Sequence, residues 1–122
     1  MGYGSIDDLN TTGYTTPDAP RVQRMLAELR EKKFKMVAME VSSHALDQGR
    51  VDSVQINTAI FSNLTQDHLD YHQDMAAYEA AKFDLFRRTN LKNIILNLED
   101  ATGLAWAQKL IGHTKAKVTV YG

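Results

Sequence analysis

The sequence contains no cysteine, which excludes a disulfide framework, a thiolate metal site and a cysteine nucleophile. No apolar run approaches the roughly 18 residues of a membrane-spanning helix, and residues 1–10 lack a signal-peptide pattern. Neither sign of charge dominates, because the chain has 14 Lys and Arg residues and 15 Asp and Glu residues, for a formal net charge of −1. This balance disfavours a nucleic-acid or membrane partner held by charge alone, and we expect a cytoplasmic protein.

Apolar residues make up 43% of the 122-residue chain, which is enough for a folded core. Four short runs are apolar on both faces, a pattern typical of strands in a parallel sheet. The predicted strands are Met36–Val41, Thr58–Ser62, Asn93–Asn97 and Lys117–Tyr121.

Helices are predicted around these strands. Residues 1–16 are expected to form a loop, after which Thr16 is the predicted N-cap and Pro17 the first residue of a helix. Two further helices are predicted from about Asp74 to Arg88 and from about Asp100 to Ile111, with Gly112 as the stop. Alternating strands and helices indicate the α/β class, in which sites lie at the carboxyl ends of strands. The loops of residues 41–50 and 63–74 therefore become the candidate site.

Lys82 is the clearest anomaly in the helical patterns. It falls near the centre of the apolar stripe of its helix, where an unpaired charge is costly. One interpretation is a lysine whose stem packs while its amine reaches water. The other is a lysine directed into a site, as an amine nucleophile or as a carbamate whose oxygens suit Mg²⁺. The stripe consists of Met75, Tyr78, Leu85 and Phe86.

Polar residues in the two loops suggest further candidates. Asp67, His68 and Asp70 are either metal ligands or ordinary capping and solvated groups. Glu40, at the end of the first predicted strand, is either a solvated carboxylate or a Mg²⁺ ligand. Arg50 is either a surface residue or a bidentate anion ligand.

Two further polar patterns stand at the starts of predicted loops and helices. Thr15 and Thr16 precede a helix, where they can bind an anion or simply cap the helix. Ser42, Ser43 and His44 suggest a serine hydrolase, but they do not lie in a Gly-x-Ser-x-Gly motif, and adjacency in sequence is not triad geometry.

Four segments, taken in order, resemble the Mur ligase family and within it the central domain of the MurE ligases. The resemblance covers nearly the whole chain from about Gly4, so residues 1–122 are expected to be part of that domain. Its Ser-Ser-His-x-Leu-x-Gln-x-Arg portion favours this branch over folylpolyglutamate or cyanophycin synthetase relatives. The segments are Thr15–Asp18, Met39–Arg50, Phe61–His72 and Tyr78–Lys82.

The resemblance implies a fold, a reaction and a set of site residues. The fold is a partial Rossmann-like, P-loop-type domain, a mostly parallel sheet flanked by helices. The reaction adds meso-diaminopimelate or L-lysine to UDP-MurNAc-L-Ala-D-Glu, with ATP and Mg²⁺, through an acyl phosphate. Lys82 is similar to a carbamylated catalytic lysine that, with Glu40 and His68, binds the metal. The implied substrate-binding residues are Thr15, Thr16, Ser42, Gln48 and Arg50.

The sequence also departs from the family pattern. It contains no Gly-x-x-x-x-Gly-Lys-Ser/Thr phosphate loop, and Tyr14 stands where many relatives have asparagine. We therefore expect the phosphate-loop strand, the N-terminal UDP-binding domain and the C-terminal domain to be absent, and the chain alone to be inactive with a partly exposed sheet edge. The alternative is a non-catalytic remnant that binds a nucleotide sugar or a protein partner.

Overall fold

The computed structural model describes residues 2–5, 8–11, 16–64 and 75–122. The chain forms two compact units, Met1–Val54 and Gln55–Gly122. Thr15 and His68, two of the predicted site residues, lie outside the described residues.

The first unit opens with a β-hairpin where a loop was predicted. Strands β1 (Gly2–Ser5) and β2 (Asp8–Thr11) pair antiparallel, with Gly2 opposite Thr11 and Ser5 opposite Asp8. The loop prediction for residues 1–16 was therefore wrong over these strands. It rested on glycine and polar composition, whereas an antiparallel ladder is held by main-chain hydrogen bonds that composition does not report.

Helix α1 (Ala19–Glu31) begins two residues later than Pro17, the predicted first helical residue. Its N-cap is Asp18, whose carboxylate accepts a hydrogen bond from the Arg21 N–H at 3.0 Å. The prediction that Thr16 is the N-cap was wrong, because its hydroxyl forms hydrogen bonds with Glu40 and Ser42 instead. The helix buries Val22 and Leu29, seven residues apart on one face, which is the amphipathic pattern expected of it.

The first predicted strand, Met36–Val41, is not a strand among the described residues. The segment runs without regular structure into the short helix α2 (Ser43–Asp47), and Met36 is 86% exposed. An apolar run marks a segment able to enter a sheet, but a strand also needs a hydrogen-bonded neighbour. In the described part of this unit, the one sheet consists of β1 and β2.

The second unit confirms the α/β prediction. Strands β3 (Thr58–Phe61), β4 (Asn93–Asn97) and β5 (Lys117–Tyr121) form a parallel sheet in that order. Helix α3 (Met75–Phe86) connects the first pair of strands and α4 (Ala101–Leu110) the second. Gly112 follows α4 with φ of +83°, the left-handed conformation predicted for a helix stop.

Burial on both faces was predicted for every strand, and β5 does not have it. Val120 and Tyr121 remain 41% and 46% exposed, whereas Ile94 and Leu96 of the central strand β4 are fully buried. At the other edge of the described sheet, Ile60 of β3 is 63% exposed. A strand at a sheet edge has a neighbour on one side only, so its side chains lose part of their cover.

Trp106 of α4 lies at the centre of the core of the second unit and is fully buried. Its ring centroid lies 4.5 Å from that of Phe61 and 5.2 Å from that of Phe86. Its indole N–H donates to the Glu79 Oε1 at 2.9 Å, which satisfies the one polar atom that burial would otherwise penalise. This cluster joins β3, α3 and α4.

Candidate functional site

Thr16 connects two segments of the first unit that are distant in sequence. Its side chain is completely buried, and its hydroxyl donates to the main-chain oxygen of Glu40 at 3.0 Å. The hydroxyl oxygen of Thr16 in turn accepts the main-chain N–H of Ser42 at 3.1 Å. The residue before α1 thus fixes the backbone on both sides of Val41, at the start of the loop predicted to carry the site.

Ser42 is the N-cap of α2, and its Oγ accepts the Ala45 N–H at 3.1 Å. The next residue, Ser43, is fully buried, and within the described residues its hydroxyl has no hydrogen-bond partner. The Ser42 Oγ is engaged in capping α2 and the Ser43 Oγ is buried, so neither hydroxyl is placed to attack a substrate. The packing of the two serines therefore disfavours a serine hydrolase.

Arg50 is held at two points within the first unit. Its Nε and Nη2 donate to the Gln48 Oε1 at 3.1 and 2.6 Å, and its Nη1 donates to the Thr16 main-chain oxygen at 2.7 Å. Between the two side chains, Gly49 has φ of +70°, a conformation in which a β-carbon would lie 2.8 Å from the Asp52 Oδ2. Glycine is therefore required where the chain turns to bring Gln48 and Arg50 together.

Four of the five residues predicted to bind substrate therefore form one connected network in the first unit. We call Thr16, Ser42, Gln48 and Arg50, with the hydrogen bonds just described, the arginine network. The family resemblance implied each residue separately, but nothing in the sequence revealed that Thr16 links the other three.

The predicted metal ligands are placed less completely. Glu40 has an exposed side chain and lies in the first unit, Lys82 lies in the second, and His68 is outside the described residues. Among the described residues, no three His, Cys, Asp or Glu side chains form a group that could hold a metal ion. The shared metal site of these three residues remains a prediction.

Lys82 has a side chain that is neither buried nor fully exposed. Its Nζ lies 5.5 Å from the ring centroid of Tyr78, one helical turn earlier, and Tyr78 is only 1% exposed. The lysine therefore borders the buried face of α3 and places its amine over an aromatic ring. Both interpretations of Lys82 remain compatible with this position, since a half-buried side chain fits either one.

Asn97 and Asp100 form a second connection that the sequence analysis did not assign to the site. The Asn97 Nδ2 donates to the Ser62 main-chain oxygen at 2.8 Å, and the Asp100 Oδ2 accepts the Leu64 N–H at 3.1 Å. The other oxygen of Asp100 caps α4 by accepting the Thr102 N–H at 2.8 Å. These bonds fix residues 62–64, which lead in sequence towards His68. A polar residue at a strand end followed by an N-cap three positions later is the signal that could have identified them.

The Mur ligase middle domain is the family whose model matches the chain, over residues 2–122. A UDP-N-acetylmuramoyl-L-alanyl-D-glutamate–2,6-diaminopimelate ligase of Xanthomonas campestris pv. campestris (strain 8004) is 54% identical over 103 residues, covering 84% of this chain and 21% of the relative. The ligase of the same name from Xylella fastidiosa (strain 9a5c) is 46% identical over 123 residues, covering 100% of this chain and 25% of the relative.

A solved structure of a UDP-N-acetylmuramoyl-L-alanyl-D-glutamate–2,6-diaminopimelate ligase is similar to this chain with a TM-score of 0.85 and 35% identity. The match covers 98% of this chain and 24% of the solved chain. The chain thus spans between a fifth and a quarter of the length of the relatives it matches. Among the helices that the structure describes, none has the length and hydrophobicity of a transmembrane span.

Proposed function

The chain belongs to the Mur ligase family, and from that membership we propose that it forms part of the ATP-dependent central domain of a ligase in peptidoglycan synthesis. The proposed substrates are UDP-MurNAc-L-Ala-D-Glu, ATP and an amino acid, either meso-diaminopimelate or L-lysine. The names of the relatives favour 2,6-diaminopimelate. The observation that carries the proposal is the arginine network, which gathers four residues expected to contact substrate.

The proposed reaction activates a carboxylate. ATP transfers its terminal phosphoryl group to the D-Glu carboxylate, which gives an acyl phosphate and ADP. The amine of the incoming amino acid then attacks the acyl carbon, an amide bond forms, and inorganic phosphate leaves. Such chemistry depends mainly on positioning and charge neutralisation. We assign the binding of the anionic substrate to Arg50, whose planar guanidinium suits carboxylate and phosphate oxygens.

Mg²⁺ is the proposed metal cofactor, with Glu40, His68 and Lys82 as its ligands. The donor set suits the ion in part, because Glu40 offers an exposed carboxylate and Lys82 would offer oxygen as a carbamate. Histidine is a less usual magnesium ligand. When bound, the ion would neutralise charge on the transferring phosphoryl group. The border position of Lys82 on α3 supports its part in this site, since its amine is not sealed in the core.

Grafting tests the proposal. In what we call the grafted ligase, the segment of the Xylella fastidiosa ligase that matches this chain is replaced by this chain. We expect the grafted ligase to release phosphate from ATP when UDP-MurNAc-L-Ala-D-Glu and 2,6-diaminopimelate are both present. A grafted ligase that is folded, binds ATP and does not turn over would contradict the proposal.

A non-catalytic, ligand-binding remnant is the second candidate, favoured by one observation. The 122 residues contain no Gly-x-x-x-x-Gly-Lys-Ser/Thr phosphate loop, so the chain alone lacks the usual cradle for ATP phosphates. Titration calorimetry of the chain alone with UDP-MurNAc-L-Ala-D-Glu separates the candidates when combined with the graft. The remnant predicts binding by the chain and no turnover by the grafted ligase, whereas the ligase proposal requires turnover by the graft.

A further inference from the structure

Gln48 and Arg50 stand in an unusual relation for two residues expected to bind the same substrate. The amide oxygen of Gln48 accepts from two nitrogens of the Arg50 guanidinium, at 3.1 and 2.6 Å. The oxygen is therefore already engaged before any substrate arrives. A direct role for this oxygen in substrate binding would require both hydrogen bonds to break.

A third hydrogen bond fixes the same guanidinium from another direction. The Arg50 Nη1 donates to the Thr16 main-chain oxygen at 2.7 Å, and Thr16 is itself fully buried. The Thr16 hydroxyl gives its single proton to the Glu40 carbonyl and accepts the Ser42 N–H. The Arg50 guanidinium is therefore constrained at Nε, Nη1 and Nη2 by two separate residues before substrate binds.

We propose that Gln48 is a positioning residue that acts on the substrate through Arg50, with the Thr16 carbonyl as the second anchor. The inference rests on the proposed function and specifies how its binding site is organised. Arginine loses considerable rotamer entropy when it is immobilised. A guanidinium fixed in advance avoids that loss at the moment of binding, so the anionic substrate binds more tightly.

The tether itself can be tested on the 122-residue chain by NMR of the Arg50 Nε–Hε group. We expect a resolved signal with slow hydrogen exchange in the unsubstituted chain. Gln48→Ala should speed that exchange at least about tenfold, because the acceptor is lost, and Gln48→Glu should retain the slow exchange. Gln23→Ala, at an exposed glutamine of α1, is the matched control and should leave the signal unchanged. Exchange that is equally fast with and without Gln48 would overturn the inference.

A double-substitution cycle in the grafted ligase then tests how Gln48 reaches the substrate. Gln48→Ala alone should raise the KM for UDP-MurNAc-L-Ala-D-Glu about tenfold, with kcat changed less than KM. Added to Arg50→Ala, the same change should alter KM less than about twofold, since the residue through which Gln48 acts is gone. If the two substitutions instead raise KM by factors that multiply in the double variant, Gln48 contacts the substrate directly and the inference is overturned.

The two experiments fail in distinguishable ways. A slow Arg50 Nε–Hε signal combined with an unchanged KM in the Arg50→Ala ligase contradicts the proposed function of this site. If the Arg50 Nε–Hε group exchanges rapidly in the unsubstituted chain, the positioning role is contradicted, whatever the KM values of the grafted ligase.

Discussion

The hydroxyl of Thr16 donates to the main-chain oxygen of Glu40 at 3.0 Å, so a residue that precedes α1 holds the backbone of a predicted metal ligand 24 positions later. Thr16 thereby contacts both a predicted metal ligand and a predicted substrate-binding residue, because its main-chain oxygen also accepts a hydrogen bond from Arg50.

Replacing Thr16 with valine keeps the shape of the side chain but removes both of its hydrogen bonds. We expect Thr16→Val to lower the free energy of opening around residues 40–42 by about 3 kcal/mol, because the Ser42 N–H and the Glu40 carbonyl are left without Thr16. Thr16→Ser should lose only about 1 kcal/mol, for one buried methyl group. Hydrogen exchange of the Ser42 amide measures this directly. Equal exchange in the two variants would show that the hydroxyl does not hold this segment.

Gly103 determines how closely α4 approaches β4. A β-carbon at this position would overlap the Asn97 main-chain oxygen and lie 3.3 Å from the Phe61 ring. We expect Gly103→Ala to destabilise the chain by about 1–3 kcal/mol through overpacking, despite the better helix propensity of alanine. Trp106 is the only tryptophan, so its fluorescence during urea unfolding reports on this unit. Gln108→Ala, at an exposed position of α4, should change stability by less than about 0.5 kcal/mol.

Trp106 and Glu79 are predicted to be energetically coupled. Trp106→Phe removes the indole N–H that bonds to Glu79 at 2.9 Å, and Glu79→Ala removes the acceptor. We expect a coupling free energy of about 1 kcal/mol from the double-mutant cycle, measured by circular dichroism during urea unfolding. Glu79→Gln keeps an acceptor and should cost less than Glu79→Ala. Strictly additive effects of the tryptophan and glutamate substitutions would contradict this contact.

Asp100 performs two tasks that substitution can separate. Asp100→Ser retains a good N-cap for α4 but lacks the second oxygen that accepts the Leu64 N–H. We expect faster exchange of the Leu64 amide in both Asp100→Ser and Asp100→Ala. Only Asp100→Ala should also lower the free energy of unfolding by about 1 kcal/mol. Unchanged exchange of the Leu64 amide in Asp100→Ser would rule out the tether.

The sequence predicted those elements whose signals are local. The runs at Asn93–Asn97 and Lys117–Tyr121 became strands with the expected bounds, and Gly112 ended α4 as expected. Each depends on the chemistry of a few consecutive residues: an apolar run of strand length, or a glycine able to adopt positive φ.

Elements that depend on distant partners were missed. Met36–Val41 has the composition of a strand but no strand to pair with in the described residues, and the pairing of β1 with β2 is invisible in hydropathy. Thr16 resembled a helix cap because capping is the local use of threonine, whereas its real partners lie 24 and 26 residues away. The candidate site residues were recognisable from family resemblance, but the hydrogen bonds that join them are tertiary contacts.

Lys82 provides the most direct test of the ligase account, because its proposed role requires an anion where the sequence encodes a cation. Turnover of UDP-MurNAc-L-Ala-D-Glu should be measured for the grafted ligase with Lys82, Lys82→Arg and Lys82→Gln, each with bicarbonate and after its removal. The account predicts that activity of the Lys82 form falls without bicarbonate and that Lys82→Arg lowers kcat at least about 100-fold. Full activity of Lys82→Arg, independent of bicarbonate, would contradict it.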